Sequence, residues 1–358
     1  MPKLLYITNG ITGSGGLERV LSVKASLLAE KFGYEVHLLS LNEIGKEPFF
    51  SFSDKVHQHS IAVAGNPIQY FLHYKKGIQK LVDDIQPDLI SVCDDALKGF
   101  FLPQIINTKA KWIHESHASL LLGDKGSGVP FLKKTQHQLK QVLGKRFSKI
   151  ILLTEGNRKE WELNNVVVIP NPAPFETIQF STLQNKKIIA VGSYSFNKGY
   201  DLLLNIWEPI EKDFPEWELH IYGRDTKKNL QPLAEQQYLK NIHFHDPVSD
   251  IGAKYLESSI MVLPSRSEGF GMVLIEAMSF GLPVISFDCP NGPKDIISNN
   301  EDGFLIENGN TYEFAEQLKS LMLHENVRQE MGAKGRQNVK RFAPEIIAKQ
   351  WDQLFKSL

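Results

Sequence analysis

Hydrophobic and polar positions along this chain follow two periods that take turns. Short runs rich in β-branched residues occur at KLLYIT (3–8), VHLLS (36–40), DLISV (88–92), KWIHE (111–115), KIILLT (149–154) and VVVIPN (166–171). Between them lie longer stretches whose apolar residues recur every three to four positions. These predict helices over Gly16–Lys31, Ile68–Asp84, Leu97–Asn107, Phe131–Gly144 and Glu155–Glu162. Strands alternating with crossover helices imply parallel pairing, hence a doubly wound α/β sheet.

The prolines and polar residues of PNPAPFETIQFSTLQN (170–185) interrupt the pattern and predict a linker. The alternation restarts with KKIIAVG at 186–192 and runs through DLLLNIW, ELHIYG, IHFHD, IMVLPS, PVISFD and GFLIE, so a second Rossmann-like sheet is expected. The predicted division is an N-terminal domain over 1–175 and a C-terminal domain over 183–342. The tail at 343–358 reads as a helix with Ile346, Ile347, Trp351, Leu354 and Phe355 on one broad apolar face. It must pack on something, and the first domain is the expected partner. Sheets of this type bind ligands at the carboxyl ends of their strands, so two domains facing each other across a cleft are expected to share a site there.

Composition narrows the function. Forty Lys and Arg balance 41 Asp and Glu, which removes any overall attraction to nucleic acid. The only cysteines, Cys93 and Cys289, suggest neither a disulfide framework nor a thiolate zinc site, and a reducing, cytoplasmic setting is expected. No secretory signal is read at the start, and no run reaches the roughly 18–20 apolar residues of a spanning helix.

The candidate chemistry centres on SEGFGMVLIEAM, where Glu268 opens a glycine-rich turn and Glu276 falls within an apolar helical run. A strand ending near Pro264, glycines at 269 and 271 and a helix from about Met272 to Phe280 place free N–H groups beside Glu268. That arrangement suits a phosphate. A buried carboxylate at Glu276 is costly unless it borders a polar cleft or accepts hydrogen bonds, and vicinal sugar hydroxyls are suitable donors. Residues alone leave two readings: a pair that grips sugars on either side of a diphosphate, or a loop carboxylate and a helix surface charge.

The stretch PSRSEGFGMVLIEAMSFGLPV resembles retaining glycosyltransferases of family 4, which have the GT-B fold. Their mark is two glutamates with seven residues between them in this frame. The likeness extends through GGLERVL (15–21), IPNP (169–172), VGSYSFNKGYDLLL (191–204) and NEDGFLIENGN (300–310). It implies that Glu268 faces the donor sugar, that the backbone of Phe270, Gly271, Met272 and Val273 faces the diphosphate, and that Glu276 holds the nucleotide ribose. Lys198 matches the family's cation on the diphosphate. The arginine usual after the glycine of that strand is absent, since Gly192 is followed by Ser193, and Arg224 at the end of ELHIYGR is the candidate substitute.

In the first half, Gly13, Gly15 and Gly16 of TNGITGSGGLERVL open a helix where an anion would be stabilised, and the resemblance brings this loop near donor phosphates and acceptor. It also implies a histidine near the reacting sugar, for which His114 matches better than His117. Pairs at strand spacing, His57 with His59 and His243 with His245, show no nearby third ligand in the sequence and read as structural. No Asp-x-Asp occurs, so no metal and no other cofactor is expected. The basic stretch at 131–149 reads as a solvated helix face. Its second reading is an interfacial helix drawing the enzyme to the inner membrane face.

The activity implied is transfer of a hexose or N-acetylhexosamine from a nucleotide sugar, a UDP-sugar first among them, to a glycan or lipid-linked acceptor in bacterial surface-polysaccharide synthesis, with retention of configuration. Alternatives of other classes are a sugar-nucleotide epimerase of the same fold, a non-catalytic nucleotide-sugar-binding protein and a phosphorylase, the last requiring a longer chain.

Overall fold

The computed structural model describes residues 1–120, 131–224 and 229–358, the side chains of 131–134 excepted. Contacts divide the chain into two units, Met1–Pro174 with Pro344–Leu358, and Phe175–Ala343.

The first unit is built on seven strands: β1 (Lys3–Thr8), β2 (Glu35–Leu41), β3 (Val56–Ile61), β4 (Leu89–Cys93), β5 (Lys111–Glu115), β6 (Lys149–Leu152) and β7 (Val166–Val168). They lie in the order β3-β2-β1-β4-β5-β6-β7, all parallel. Both faces of the central strands are covered, which is why KLLYI and LISVC read as continuous apolar runs. One layer gathers Leu5, Ile7, Ile90, Val92 and Phe100, and the other Leu4, Tyr6, Leu21, Leu28 and Ile113.

The tail helix Pro344–Lys356 joins this second layer. Ile347, Trp351 and Phe355 are buried against the helix Gly16–Lys31 side of the sheet. The Lys24 ammonium lies 4.0 Å from the centre of the Trp351 ring, and the Tyr34 hydroxyl donates to Asp352 at 3.0 Å.

The second unit has six parallel strands, β8 (Lys187–Val191), β9 (Glu218–Tyr222), β10 (Ile242–His245), β11 (Ile260–Leu263), β12 (Val284–Asp288) and β13 (Gly303–Glu307), ordered β10-β9-β8-β11-β12-β13. Its core is set around Trp207, Ile221, Phe287 and Phe314. The strand order turns at β8, so the carboxyl ends of β8 and β11 flank a switch point where such sheets bind ligands.

Three elements differ from expectation. Val56–Ile61 is a strand that the alternation did not reveal, because only Val56 of VHQHSI is buried and the edge of a sheet needs no apolar run. The helix expected over Leu97–Asn107 is two short ones, Leu97–Phe100 and Leu102–Ile105, with Pro103 in the first turn of the second. The helix expected over Glu155–Glu162 stops at Arg158.

Candidate functional site

β11 closes at Leu263, and the chain turns through Pro264 to Gly271 before entering the helix Met272–Ser279. Gly271 caps that helix with φ +97°, a left-handed backbone that costs a side-chain-bearing residue about 1–2 kcal/mol. The Phe270 ring turns inward, edge-on to Phe342 with centroids 5.6 Å apart, while Met272 and Val273 are half-buried at the helix opening. A Cβ at Gly292 would stand 2.1 Å from the Phe270 carbonyl oxygen, so a second loop lies directly on this turn.

Lys198 reaches the turn from β8. The chain leaves Val191 through Gly192 and the exposed Ser193, forms the short 3-10 turn Phe196–Lys198, and enters the helix Tyr200–Asp213 through Gly199. A Cβ at Gly199 would fall 2.0 Å from the Pro264 carbonyl oxygen, and one at Gly192 would meet the Lys198 stem at 3.2 Å. Glycine at these places lets the two loops touch. Arg266 then ties them together: its guanidinium makes two parallel bonds to Asp201, at 2.7 and 2.6 Å, and its N–H donates to the Asn197 carbonyl at 2.7 Å.

The consequence is the pairing of two residues expected to act on different parts of a donor. Lys198 Nζ donates to Glu268 Oε1 at 2.7 Å, and the Ser265 hydroxyl donates to the same oxygen at 2.6 Å. Glu268 is buried, whereas the Lys198 side chain is 22% exposed, so the cation is the accessible member. Burial, with the Glu268 charge beside it, pushes the Cys289 thiol up to about 12, which keeps it a neutral wall of this site. Glu276 sits on the second turn of the helix, buried, and accepts from the Tyr255 hydroxyl at 3.0 Å. Tyr255 belongs to the helix Ile251–Leu256, whose contribution was not legible in the sequence because twenty-one residues separate the partners.

Arg224 stands exposed two residues past the end of β9, and its carbonyl accepts from the Tyr194 N–H at 3.0 Å. Its main chain therefore borders the Gly192–Ser193 loop. Arg266 and Ser265 were overlooked as site-builders although they stand inside the quoted motif.

In the first unit, Gly15 caps the helix Gly16–Lys31, and the Glu18 carboxylate folds back onto the loop. A Cβ at Gly13 or Gly15 would lie 2.4 or 2.6 Å from its oxygens. The loop amide expected to face a phosphate thus meets the chain's own carboxylate, which also bonds the Gly15 backbone. Burial, with the Glu43 charge adding to it, raises that carboxyl above its usual range.

His114 lies on β5, one residue before its end. Its ring is fully buried, 4.1 Å from Phe100 and 5.4 Å from Phe147, with Nε2 3.6 Å from Asp95 Oδ1. His117 stands two residues past the end of β5, half-buried, with Nε2 3.3 Å from Glu115. Asp95 shapes this turn by accepting from the Ser116 hydroxyl and from the N–H groups of His117 and Ala118 at 2.8–2.9 Å. Alternation put His114 on the strand, but only packing shows that the strand position faces the core.

In the basic stretch, the side chains of Lys133 and Lys134 lie outside those described. Within it Lys140 turns inward, its ammonium 5.6 Å from the Phe100 ring centre, while Lys145 and Arg146 are exposed. Among the described residues no helix is long and apolar enough to cross a membrane.

Residues 175–338 match the family described as glycosyl transferases group 1. The chain is 31% identical to an uncharacterized glycosyltransferase of Haemophilus influenzae, covering 98% of this chain and 99% of that one. It is 29% identical to the amylovoran biosynthesis glycosyltransferase AmsD of Erwinia amylovora, over 99% of each. A solved mutant of S. aureus TarM, in complex with fondaparinux, alpha-GlcNAc-glycerol and UDP, superposes with a TM-score of 0.84 at 16% identity, covering 99% of this chain and 100% of that one. With its two parallel sheets and its full-length likeness to such a relative, the protein belongs to the glycosyltransferases of the GT-B fold.

Proposed function

We propose that this glycosyltransferase moves a hexose or N-acetylhexosamine from a UDP-sugar to a glycan or lipid-linked acceptor in bacterial surface-polysaccharide synthesis, with retention at the anomeric carbon and without a metal. The observation that carries the reading is the pairing of Lys198 with the buried Glu268 before a helix whose second turn carries the buried Glu276. The names of AmsD, a polysaccharide-synthesis enzyme, and of the UDP-bound TarM complex support the setting and the nucleotide.

In this reading the helix amides from Phe270 to Val273 and the Lys198 ammonium receive the diphosphate, whose charge grows as the glycosidic bond to the donor breaks. Donors aimed at developing charge lower the barrier without reorganisation. Lys198 then exchanges part of its bond with Glu268 for the phosphate, leaving Glu268 with Ser265 and free to accept from sugar hydroxyls. Glu276, oriented by Tyr255, accepts from ribose hydroxyls. His114 serves near the reacting sugar, its ring oriented by Phe100 and Phe147 and its Nε2 3.6 Å from the Asp95 carboxylate.

The test is a screen of UDP-, GDP- and ADP-sugars by thermal shift, followed by donor hydrolysis and transfer assays with and without EDTA, with the product anomer read by NMR. Stabilisation by UDP-sugars, EDTA-insensitive turnover and a retained anomer are expected. Donor turnover to an epimer without acceptor would point to an epimerase, and binding without any turnover to an inert binding protein.

A further inference from the structure

Folding joins histidines and glutamates that are scattered in the sequence. Glu218 and His220 stand two apart on β9, and His243 and His245 two apart on the edge strand β10, in a parallel register that sets His243 opposite His220. All four are half-buried on one face of the sheet, while Leu219 and Ile221 fill the core on the other. His220 Nε2 lies 3.0 Å from Glu218 Oε2, and its Nδ1 lies 3.0 Å from His245 Nε2. The His243 ring stands 4.7 Å from that of His220, and Glu218, His220 and His243 each offer a ligand atom within 4.8 Å of the other two. The carboxylate absent from the sequence reading of the His243–His245 pair is thus supplied by the neighbouring strand.

We propose that Glu218, His220 and His243 bind a divalent transition-metal ion, with Zn2+ as the probe. The ligand set of two imidazoles and a carboxylate suits zinc and its neighbours rather than magnesium or calcium. Zinc bonds of about 2.0–2.1 Å in a tetrahedron separate ligand atoms by roughly 3.3 Å, close to the spacing found between His220 and Glu218. His245 acts behind the ligands: its bond to Nδ1 orients the His220 ring and sets its tautomer, the partnership that metal-bound histidines have. Partial exposure leaves a fourth position for water.

The other group of this kind among the described residues, Cys93, Glu115 and His117, fails on its own contacts. The Lys24 ammonium already pairs with Glu115, and burial keeps the Cys93 thiol protonated. The first sheet repeats the pattern of the second, with Glu35 and His37 on β2 facing His57 and His59 on β3, and His37 opposite His57. Glu218 opens β9, whereas Gly192 and Lys198 follow the carboxyl end of β8, so the metal would serve the sheet edge and not transfer. It would fasten β10, whose outer side has no strand partner among the described residues, to β9.

The experiment is a Zn2+ titration of the untagged full-length chain against a chromophoric chelator, with Co2+ absorption reporting ligand geometry. The wild type is expected to bind zinc and to melt higher with it. His243→Ala and Glu218→Gln should each lose one equivalent, and His245→Ala should bind about 10–100-fold more weakly. His57→Ala should keep the equivalent that His243→Ala loses, and circular dichroism establishes that each variant is folded. Absence of zinc binding by the wild type, or an unchanged stoichiometry in folded His243→Ala and Glu218→Gln, overturns the proposal. Donor turnover unaffected by EDTA is compatible with it, so its failure is distinguishable from failure of the transferase reading.

Discussion

Lys198 and Glu268 are seventy residues apart in the chain and 2.7 Å apart in the structure. The pair holds a buried carboxylate and presents a partly exposed cation at the carboxyl ends of β8 and β11. Removing the cation has two separable effects. Lys198→Ala should reduce donor turnover by roughly 10²–10³-fold, the usual cost of deleting one donor to developing charge. It should also destabilise the second unit, since Glu268 stays buried with Ser265 alone. Lys198→Met with Glu268→Gln should recover the stability and not the turnover, as read by urea melts and donor hydrolysis.

Glu276 and Tyr255 divide differently. Glu276→Ala should weaken nucleotide binding, with KM and the UDP dissociation constant rising together, because it removes an interaction made before and during reaction. Tyr255→Phe leaves the carboxylate in place and removes one orienting bond, worth about 1.5–3 kcal/mol at most with a charged acceptor. Calorimetric titration of UDP should rank the two variants in that order.

Arg266 holds the loops that carry the pair. Its partner Asp201 is 46% exposed, so solvent screening limits the stability at stake to about 1 kcal/mol or less. Arg266→Ala should therefore scarcely move the melting temperature and should lower turnover through a misplaced Lys198. Equal loss in Asp201→Ala, and no further loss in the double variant, would identify the clamp as the common cause.

The tail helix should be needed for the first unit to hold. Trp351→Ala removes a buried indole that Lys24 overlies at 4.0 Å, a change that typically costs about 3–5 kcal/mol. Denaturant unfolding should show the loss in the first unit's transition.

Acid stability has a predictable shape. Burial raises the Glu115 carboxyl, but Lys24 and then His117 outweigh it and hold the group at about 2. A folded-state value below the unfolded one of about 4.3 contributes stability above the unfolded value and loses it as pH falls through the folded value. Melting temperatures should accordingly fall between about pH 4.5 and 2, and Glu115→Gln should flatten that window. Lys24, His117, Cys93 and Tyr6 face the carboxylate, and burial keeps the Cys93 thiol and the Tyr6 hydroxyl protonated throughout this window.

Sequence alone determined the alternation of strand and helix, because buried parallel strands and amphipathic helices impose different periods on the apolar residues. KLLYIT, KWIHE and GFLIE coincide with β1, β5 and β13 for that reason. It also determined the glutamate pair and the glycines around it, since close backbone approach at Gly199 and left-handed geometry at Gly271 admit little else. Tertiary structure decided the rest. Val56–Ile61 became a strand by pairing with β2, and the inward turn of His114 followed from packing on Phe100 and Phe147. The union of Glu218 with His243 followed from strand order. Periodicity records which residues avoid water, whereas the meeting of polar groups from distant segments depends on register and crossover, which leave no periodic trace.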